Sequence, residues 1–301
     1  MELFRFEITE VNEGDRIDKF LTDNIDFVSR SYIQKMIKDG KVSVNDKIVK
    51  PSFVLKAEDQ IYFELPDNVE PNIEAENIPL NIIYEDSDLI LVNKPKNMVV
   101  HPANGHYSGT LVNALMYHCK DLSGINGVLR PGIVHRIDKN TSGSLIICKN
   151  DKSHQDIAGQ LKAHSIKRVY HAIVHGKLYE DGTINKPIGR DPKDRLKMAV
   201  VTNGKEAVTH YTVLQNFENY TYISCQLETG RTHQIRVHMA SIGHPILGDD
   251  VYAFSQKSPY KCEGQTLHAK TIGFIHPTTQ EYMEFDTELP DYFKHLLEIM
   301  K

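Results

Sequence analysis

Tryptophan is missing from this 301-residue sequence, cysteine is reduced to four residues, and no window approaches 18 uncharged apolar residues. The last absence argues against a membrane-spanning helix. The start Met1-Glu-Leu-Phe-Arg-Phe-Glu7 lacks the basic-then-apolar order of a secretory signal, so a soluble, cytoplasmic protein is expected. Cys119, Cys148, Cys225 and Cys262 form no C-x-x-C pair, which reads as reduced, incidental thiols. Also missing are the P-loop pattern, G-x-G-x-x-G after a strand and the G-x-S-x-G elbow, so nucleotide, dinucleotide and serine-hydrolase chemistry lack their parts. The fifteen histidines are scattered, and His233 and His238 stand five apart rather than four. No metal and no cofactor is expected.

What is present is a globular composition, 40% hydrophobic and 25% charged, long enough for about two domains. A net charge of −5 argues at first against a nucleic-acid partner. Its distribution argues the other way. Residues 64–90 carry eight acidic and no basic side chains, and residues 280–301 carry six acidic side chains and two lysines. Residues 29–50 hold six basic against two acidic, and residues 161–205 ten against four. A charge run is often only a solvated face, but two basic regions split by an acidic stretch suit an RNA or DNA binder better.

Residues 1–65 read as a small α+β unit. Ile17, Phe20 and Leu21 have the spacing of a buried helical face, and a second helix carries Ile33, Met36 and Ile37. Ser31 with Gln34 fits a capping box, and Gly40 stands where a left-handed cap belongs. Val42-Ser-Val44, the Asn45-Asp46 turn and Ile48-Val49 form a hairpin pattern, and Ile61-Tyr-Phe63 supplies another strand. Arg16, Arg30, Lys35, Lys38 and Lys41 stay off the apolar faces and are candidate RNA contacts. Residues 66–79, with Pro66, Pro71, Pro79 and four acids, read as a linker that does not pack. From residue 80 to 301, strands outnumber helices without βαβ alternation, which predicts an α+β domain with a mixed, largely antiparallel sheet.

Three polar sets interrupt its apolar runs. Between Ile133-Val134 and Leu145-Ile-Ile147 lie His135, Arg136, Asp138, Lys139, Asn140, Thr141, Ser142 and Gly143. Such a turn projects Asp138 from a rigid frame, although an aspartate often only hydrogen-bonds its own turn. In Leu227-Glu-Thr-Gly-Arg-Thr-His-Gln-Ile-Arg-Val-His238, Arg231 stands at a turn where a guanidinium could pair with a carboxylate or simply cap a loop. In Lys167-Arg-Val-Tyr-His-Ala-Ile-Val174, Tyr170 interrupts a strand beside Lys167 and Arg168. An aromatic ring among cations suits stacking on a base, although a strand tyrosine is more often ordinary sheet packing.

The segment Arg16-Ile-Asp-Lys-Phe-Leu21 followed by Ser29 to Asn45 resembles the S4-like RNA-binding module. His135-Arg-Ile-Asp-Lys-Asn-Thr-Ser-Gly143, Tyr170 and Leu227 to Arg236 resemble the RluA/RluD family of RNA pseudouridine synthases. Asn93-Lys-Pro95, Val99-Val-His-Pro102, His244-Pro-Ile-Leu-Gly-Asp249 and Leu267-His-Ala269 match further family segments in order. Asn97 departs from a usual glycine and Asn140 from a frequent aspartate.

The resemblance implies that uracil leaves ribose C1′, turns, and rejoins through C5. Asp138 is then the catalytic aspartate, acting as a nucleophile at C1′ or a base at C2′. Arg231 is its ionic partner, and Tyr170 packs on the flipped base. Arg136, Lys167 and Arg168 join the RNA-contact candidates. The implied substrate is 23S ribosomal RNA, in free form or in an assembly intermediate, with tRNA as the alternative; a monomer is the default expectation. A glycosidase would need a second carboxylate, and a non-catalytic ribosome assembly factor would use the same basic surfaces.

Overall fold

The computed structural model describes residues 2–25, 30–65, 74–101, 108–125, 131–194 and 197–301. The chain divides into two compact units, Met1–Asn72 and Ile73–Lys301. Ser29, residues 66–73 of the expected linker, Pro102, Arg130 and Arg195 lie outside the described residues.

The first unit contains β1 (Glu2–Glu7), α1 (Ile17–Asn24), α2 (Arg30–Lys38), β2 (Val42–Val44), β3 (Lys47–Ile48) and β4 (Gln60–Leu65). Its strands pair antiparallel in the order β1-β4-β2-β3. The predicted helical faces, Ile17, Phe20, Leu21, Ile33, Met36 and Ile37, are buried against Val42, Val44, Ile61 and Phe63. Asn45 (φ 49°) and Asp46 (φ 63°) are both left-handed, as a two-residue hairpin turn of type I′ requires. Gly40 caps α2 at φ 74°. The strand β1 was not expected. It is held by Phe4 and Phe6, whose rings meet those of Phe63 and Phe20 at 6.0 and 5.5 Å. The Ser31 side chain is outside the described atoms, and Gln34 donates to Asp18 at 2.6 Å.

The second unit runs β5 (Ile82–Glu85), β6 (Leu89–Lys94), α3 (Leu111–His118), β7 (Ser142–Cys148), α4 (Asp151–Lys162), β8 (Lys167–His175), β9 (Gly182–Asn185), β10 (Ile188–Arg190), β11 (Met198–Val200), β12 (Val208–Asn216), β13 (Tyr220–Leu227), α5 (Gln234–Ser241), β14 (Leu267–Ile275), β15 (Tyr282–Asp286) and α6 (Asp291–Ile299). The main sheet has the order β5-β6-β7-β14-β8-β13-β12-β9, with β15 on β14. Only β7 and β14 pair in parallel among the described strands, so the sheet is mixed and mostly antiparallel, as the strand-rich pattern predicts. Every residue of β7 is buried, which is what a strand covered on both faces requires. Gly143, at φ 113°, opens this strand where an added Cβ would overlap the Ala269 backbone. Among the described residues, no helix is long and apolar enough to cross a membrane.

Residues 74–79 correct the linker expectation. The Glu76 amide donates to the Asn113 carbonyl at 3.0 Å, the Glu76 carboxylate accepts from the Gly109 amide, and Asn113 donates to the Glu74 carbonyl at 2.9 Å. Backbone bonding compensates for their lack of apolar surface. The α3, β15 and α6 elements were not anticipated. Helix α3 has apolar residues around most of its circumference, so it shows little helical periodicity.

Candidate active site

Asp138 lies in the turn that enters β7. Its carbonyl accepts from the Thr141 amide at 3.0 Å, so the backbone closes the turn and leaves the carboxylate free for other partners. Oδ2 accepts from Arg236 Nη1 at 2.9 Å, and Oδ1 stands 3.8 Å from His233 Nε2. The side chain retains 19% exposure, enough for a ligand to reach it.

The ionic partner of Asp138 is therefore Arg236, not the Arg231 that the resemblance implies. Residues 229–238 form a turn and a helix in which Thr229, Gln234, Arg236 and His238 are all hydrogen-bonded. Gln234 accepts from the Arg231 amide at 2.9 Å and the Thr229 hydroxyl at 2.8 Å, and donates to the Val208 carbonyl at 2.9 Å. This ties the turn to β12. His233 takes a left-handed conformation (φ 56°) ahead of α5, and Arg236 lies in the first turn of that helix. Its Nε and Nη2 donate to Asp249 at 2.6 and 2.9 Å, leaving Nη1 for Asp138. The Tyr252 ring lies 5.2 Å from the guanidinium carbon, and the Tyr252 hydroxyl bonds His233 Nδ1 at 2.9 Å. Burial alone would lower the Arg236 pKa, but the bonds and charges of Asp249, then Asp138, raise it above the usual guanidinium value. Asp249 is fully engaged with Arg236 and the amides of Val251 and Tyr252. It is not the free second carboxylate a glycosidase needs.

One cavity joins Asp138, Tyr170, Arg231 and Arg236 with Leu227 and Leu267. Tyr170 comes from β8, and burial raises its pKa. Arg231 lines the cavity while its Nε donates to the Glu206 carbonyl at 2.8 Å. Arg136 is exposed at the mouth. Lys167 is not in this constellation, because strand alternation turns it toward Glu284 of β15, at 3.0 Å. In the first unit, Arg16 and Arg30 both bind the fully buried Asp18 carboxylate, at 3.0 and 3.1 Å. Lys35, Lys38 and Lys41 are exposed.

Lys94 carries more of the site than the sequence suggests. It is only 1% exposed, and its Nζ donates to the carbonyls of Pro95, Met98 and Lys139 at 2.8, 2.9 and 3.1 Å. It thereby anchors the residue next to Asp138. Burial pushes its pKa down to about 7, partly offset by Asp138. Elsewhere, Glu85, His118 and Cys119 bring possible metal-ligand atoms within 4.8 Å of one another. The Glu85 carboxylate there is already bonded to His118 and Lys149, at 2.8 and 3.1 Å, and burial pushes the Cys119 thiol up to about 11.

Residues 88–241 match the RNA pseudouridylate synthase family, and residues 15–61 match the S4 domain. The chain belongs to the RNA pseudouridylate synthases. It is 50% identical to the uncharacterized RNA pseudouridine synthase YlyB of Bacillus subtilis (strain 168), over 97% of this chain and 96% of that one. It is 45% identical to ribosomal large subunit pseudouridine synthase D of Zymomonas mobilis, over 97% and 96% of the two chains. The solved structure of human RNA pseudouridylate synthase domain containing 1 superposes with a TM-score of 0.57 at 25% identity, covering 71% of this chain and 85% of that one. The protein is thus an isomerase that acts on uridine in RNA. Its departure at Asn97 has a structural reason, since that residue sits at φ 64°, a conformation asparagine tolerates. Asn140 packs against Gly264, where a Cβ would overlap it.

Proposed function

We propose that the enzyme isomerises uridine in large-subunit (23S) ribosomal RNA, with Asp138 as the catalytic carboxylate. The observation that carries this reading is the Asp138 carboxylate held 2.9 Å from Arg236 in a cavity shared with Tyr170. Relatives named ribosomal large subunit pseudouridine synthase D support the substrate class. The target uridine leaves its stack, as a base must to be reached, and rests against Tyr170. Asp138 acts on its ribose. Arg236 aims that carboxylate, while Asp249 fixes Arg236. The N1–C1′ bond breaks and the C5–C1′ bond forms. The C5 hydrogen is released to water and N1 takes up a proton, so substrate and product have the same atoms. Arg136, Arg231 and the S4-domain lysines Lys35, Lys38 and Lys41 meet the phosphate backbone.

The test is tritium release from RNA labelled at uracil C5. Wild type is expected to release tritium from unmodified 23S RNA, and Asp138→Asn to release none while still binding it. Release from tRNA alone would reassign the substrate. Activity surviving in Asp138→Asn would remove the carboxylate from the mechanism.

A further inference from the structure

A second cavity, of about 470 Å³, adjoins the active site and shares Arg136, Tyr170, Leu227 and Arg231 with it. Among the described residues its wall carries four cationic side chains, Arg136, Lys162, Arg168 and Arg231, and no carboxylate. Arg168 stands out among them. It lies on β8 two residues before Tyr170 and is only 8% exposed. Its Nη2 donates to the Glu228 carbonyl at 3.1 Å, but its buried Nε has no partner among the described residues. Gly230 leaves room for the guanidinium, since a Cβ there would stand 2.5 Å from Nη1. Burial holds its pKa below the usual value, Tyr170 offsets this in part, and the charge of Arg231 lowers it further.

Buried charges in folded proteins are normally paired, because desolvation without a counter-charge is costly. A buried guanidinium with an unpartnered donor, on the wall of a groove that holds no carboxylate among the described residues, is arranged for an anion that arrives with the substrate. We propose that this groove is a phosphate subsite, in which Arg168, Lys162 and Arg231 hold a backbone phosphodiester adjoining the uridine at Asp138. The inference rests on the synthase reading above. The shared wall lets one nucleotide place its base beside Tyr170 and a neighbouring phosphate in the groove. Guanidinium groups suit such a phosphate, since they can donate two parallel hydrogen bonds.

The test is a binding cycle on the full chain with a short large-subunit RNA hairpin containing the target uridine. The hairpin is made unmodified and with single neutral methylphosphonates on either side of that uridine. In wild type, one methylphosphonate is expected to weaken binding about tenfold. Arg168→Gln is expected to weaken binding of unmodified RNA about tenfold, and the two changes together to cost little more than either alone. The slope of log Kd against log salt should fall by about 0.7 in the variant. Lys162→Gln, at an exposed position, should show the same coupling more weakly without bearing on folding. Additive penalties in both variants would overturn the subsite. So would Arg168→Gln binding RNA like wild type with a lower melting temperature, which makes Arg168 a packing residue. A wild type that binds this hairpin but releases no tritium from labelled RNA would overturn the synthase reading instead, and the binding cycle would still decide the subsite.

Discussion

Arg236 faces two carboxylates at once, donating to Asp138 through Nη1 at 2.9 Å and to Asp249 through Nε at 2.6 Å and Nη2 at 2.9 Å. A lysine could not reproduce this fork, having one nitrogen in place of three. Arg236→Lys should reduce single-turnover rate by about 100-fold or more, as expected when a positioned ionic partner is lost. It should also cost about 3 kcal/mol in urea unfolding, since Asp249 stays buried with its pairing broken. Arg231→Lys should mainly weaken RNA binding. Equal rate losses in the two variants would contradict the assignment of the ion pair to Arg236.

Tyr170 supplies a ring to the cavity wall. Tyr170→Ala should weaken binding of the substrate hairpin by ~1–3 kcal/mol, the range for loss of a stacking platform. Tyr170→Phe should recover most of that binding because it keeps the ring. Comparable Kd values for alanine and wild type would exclude stacking.

Two desolvated histidines predict acid sensitivity. His268 bonds Ser142 and Thr287 through its two ring nitrogens, each at 2.9 Å, and burial holds its pKa at about 4. His135 accepts from the Ile146 amide at 3.0 Å and is pushed down to about 3 by desolvation. Both would titrate near pH 6.5 in the unfolded chain. As pH falls from about 6.5 toward 4, the unfolded state binds protons that the folded state does not. Stability should fall across that window by ~1.4 kcal/mol per pH unit for each ring. Melting curves of wild type and His268→Gln check this, the variant showing a shallower pH slope. Parallel slopes would remove His268 from the account.

Gly143→Ala should destabilise the catalytic unit by about 3 kcal/mol or more, because the new Cβ meets the Ala269 backbone at φ 113°. Gly109 is a control with φ 69° and no atom within 4 Å of where a Cβ would stand. Gly109→Ala should cost only about 1 kcal/mol. Chemical denaturation separates the two.

Much of the fold was legible because it is written in local periods. The apolar spacing of residues 17–37 and the Asn45-Asp46 turn are contiguous signals, and so are the β-branched runs of β7, β8, β12, β13 and β14. Asp138 and Tyr170 were legible too, as polar residues set into apolar strands or turns. Arg236 was overlooked although a signal was present. It sits between Ile235 and Val237 in a helix buried on nearly every side, where an arginine requires carboxylate partners. Lys94 gave less warning, because a lysine at the end of a strand is usually solvated.

The sequence by itself determined the two units, the strand-rich synthase domain and the S4 module. Hydrophobic period and turn chemistry act over a few residues and need no partner to be read. Tertiary structure alone decided which charges meet. Asp138 and Arg236 are 98 positions apart, and the left-handed turn at His233 rotates Arg236, not Arg231, onto the carboxylate. The same long-range packing set Glu284 beside Lys167 and left Arg168 buried with no carboxylate partner among the described residues. Such pairings depend on where strands and helices dock, and electrostatic partners are chosen only after that docking is complete.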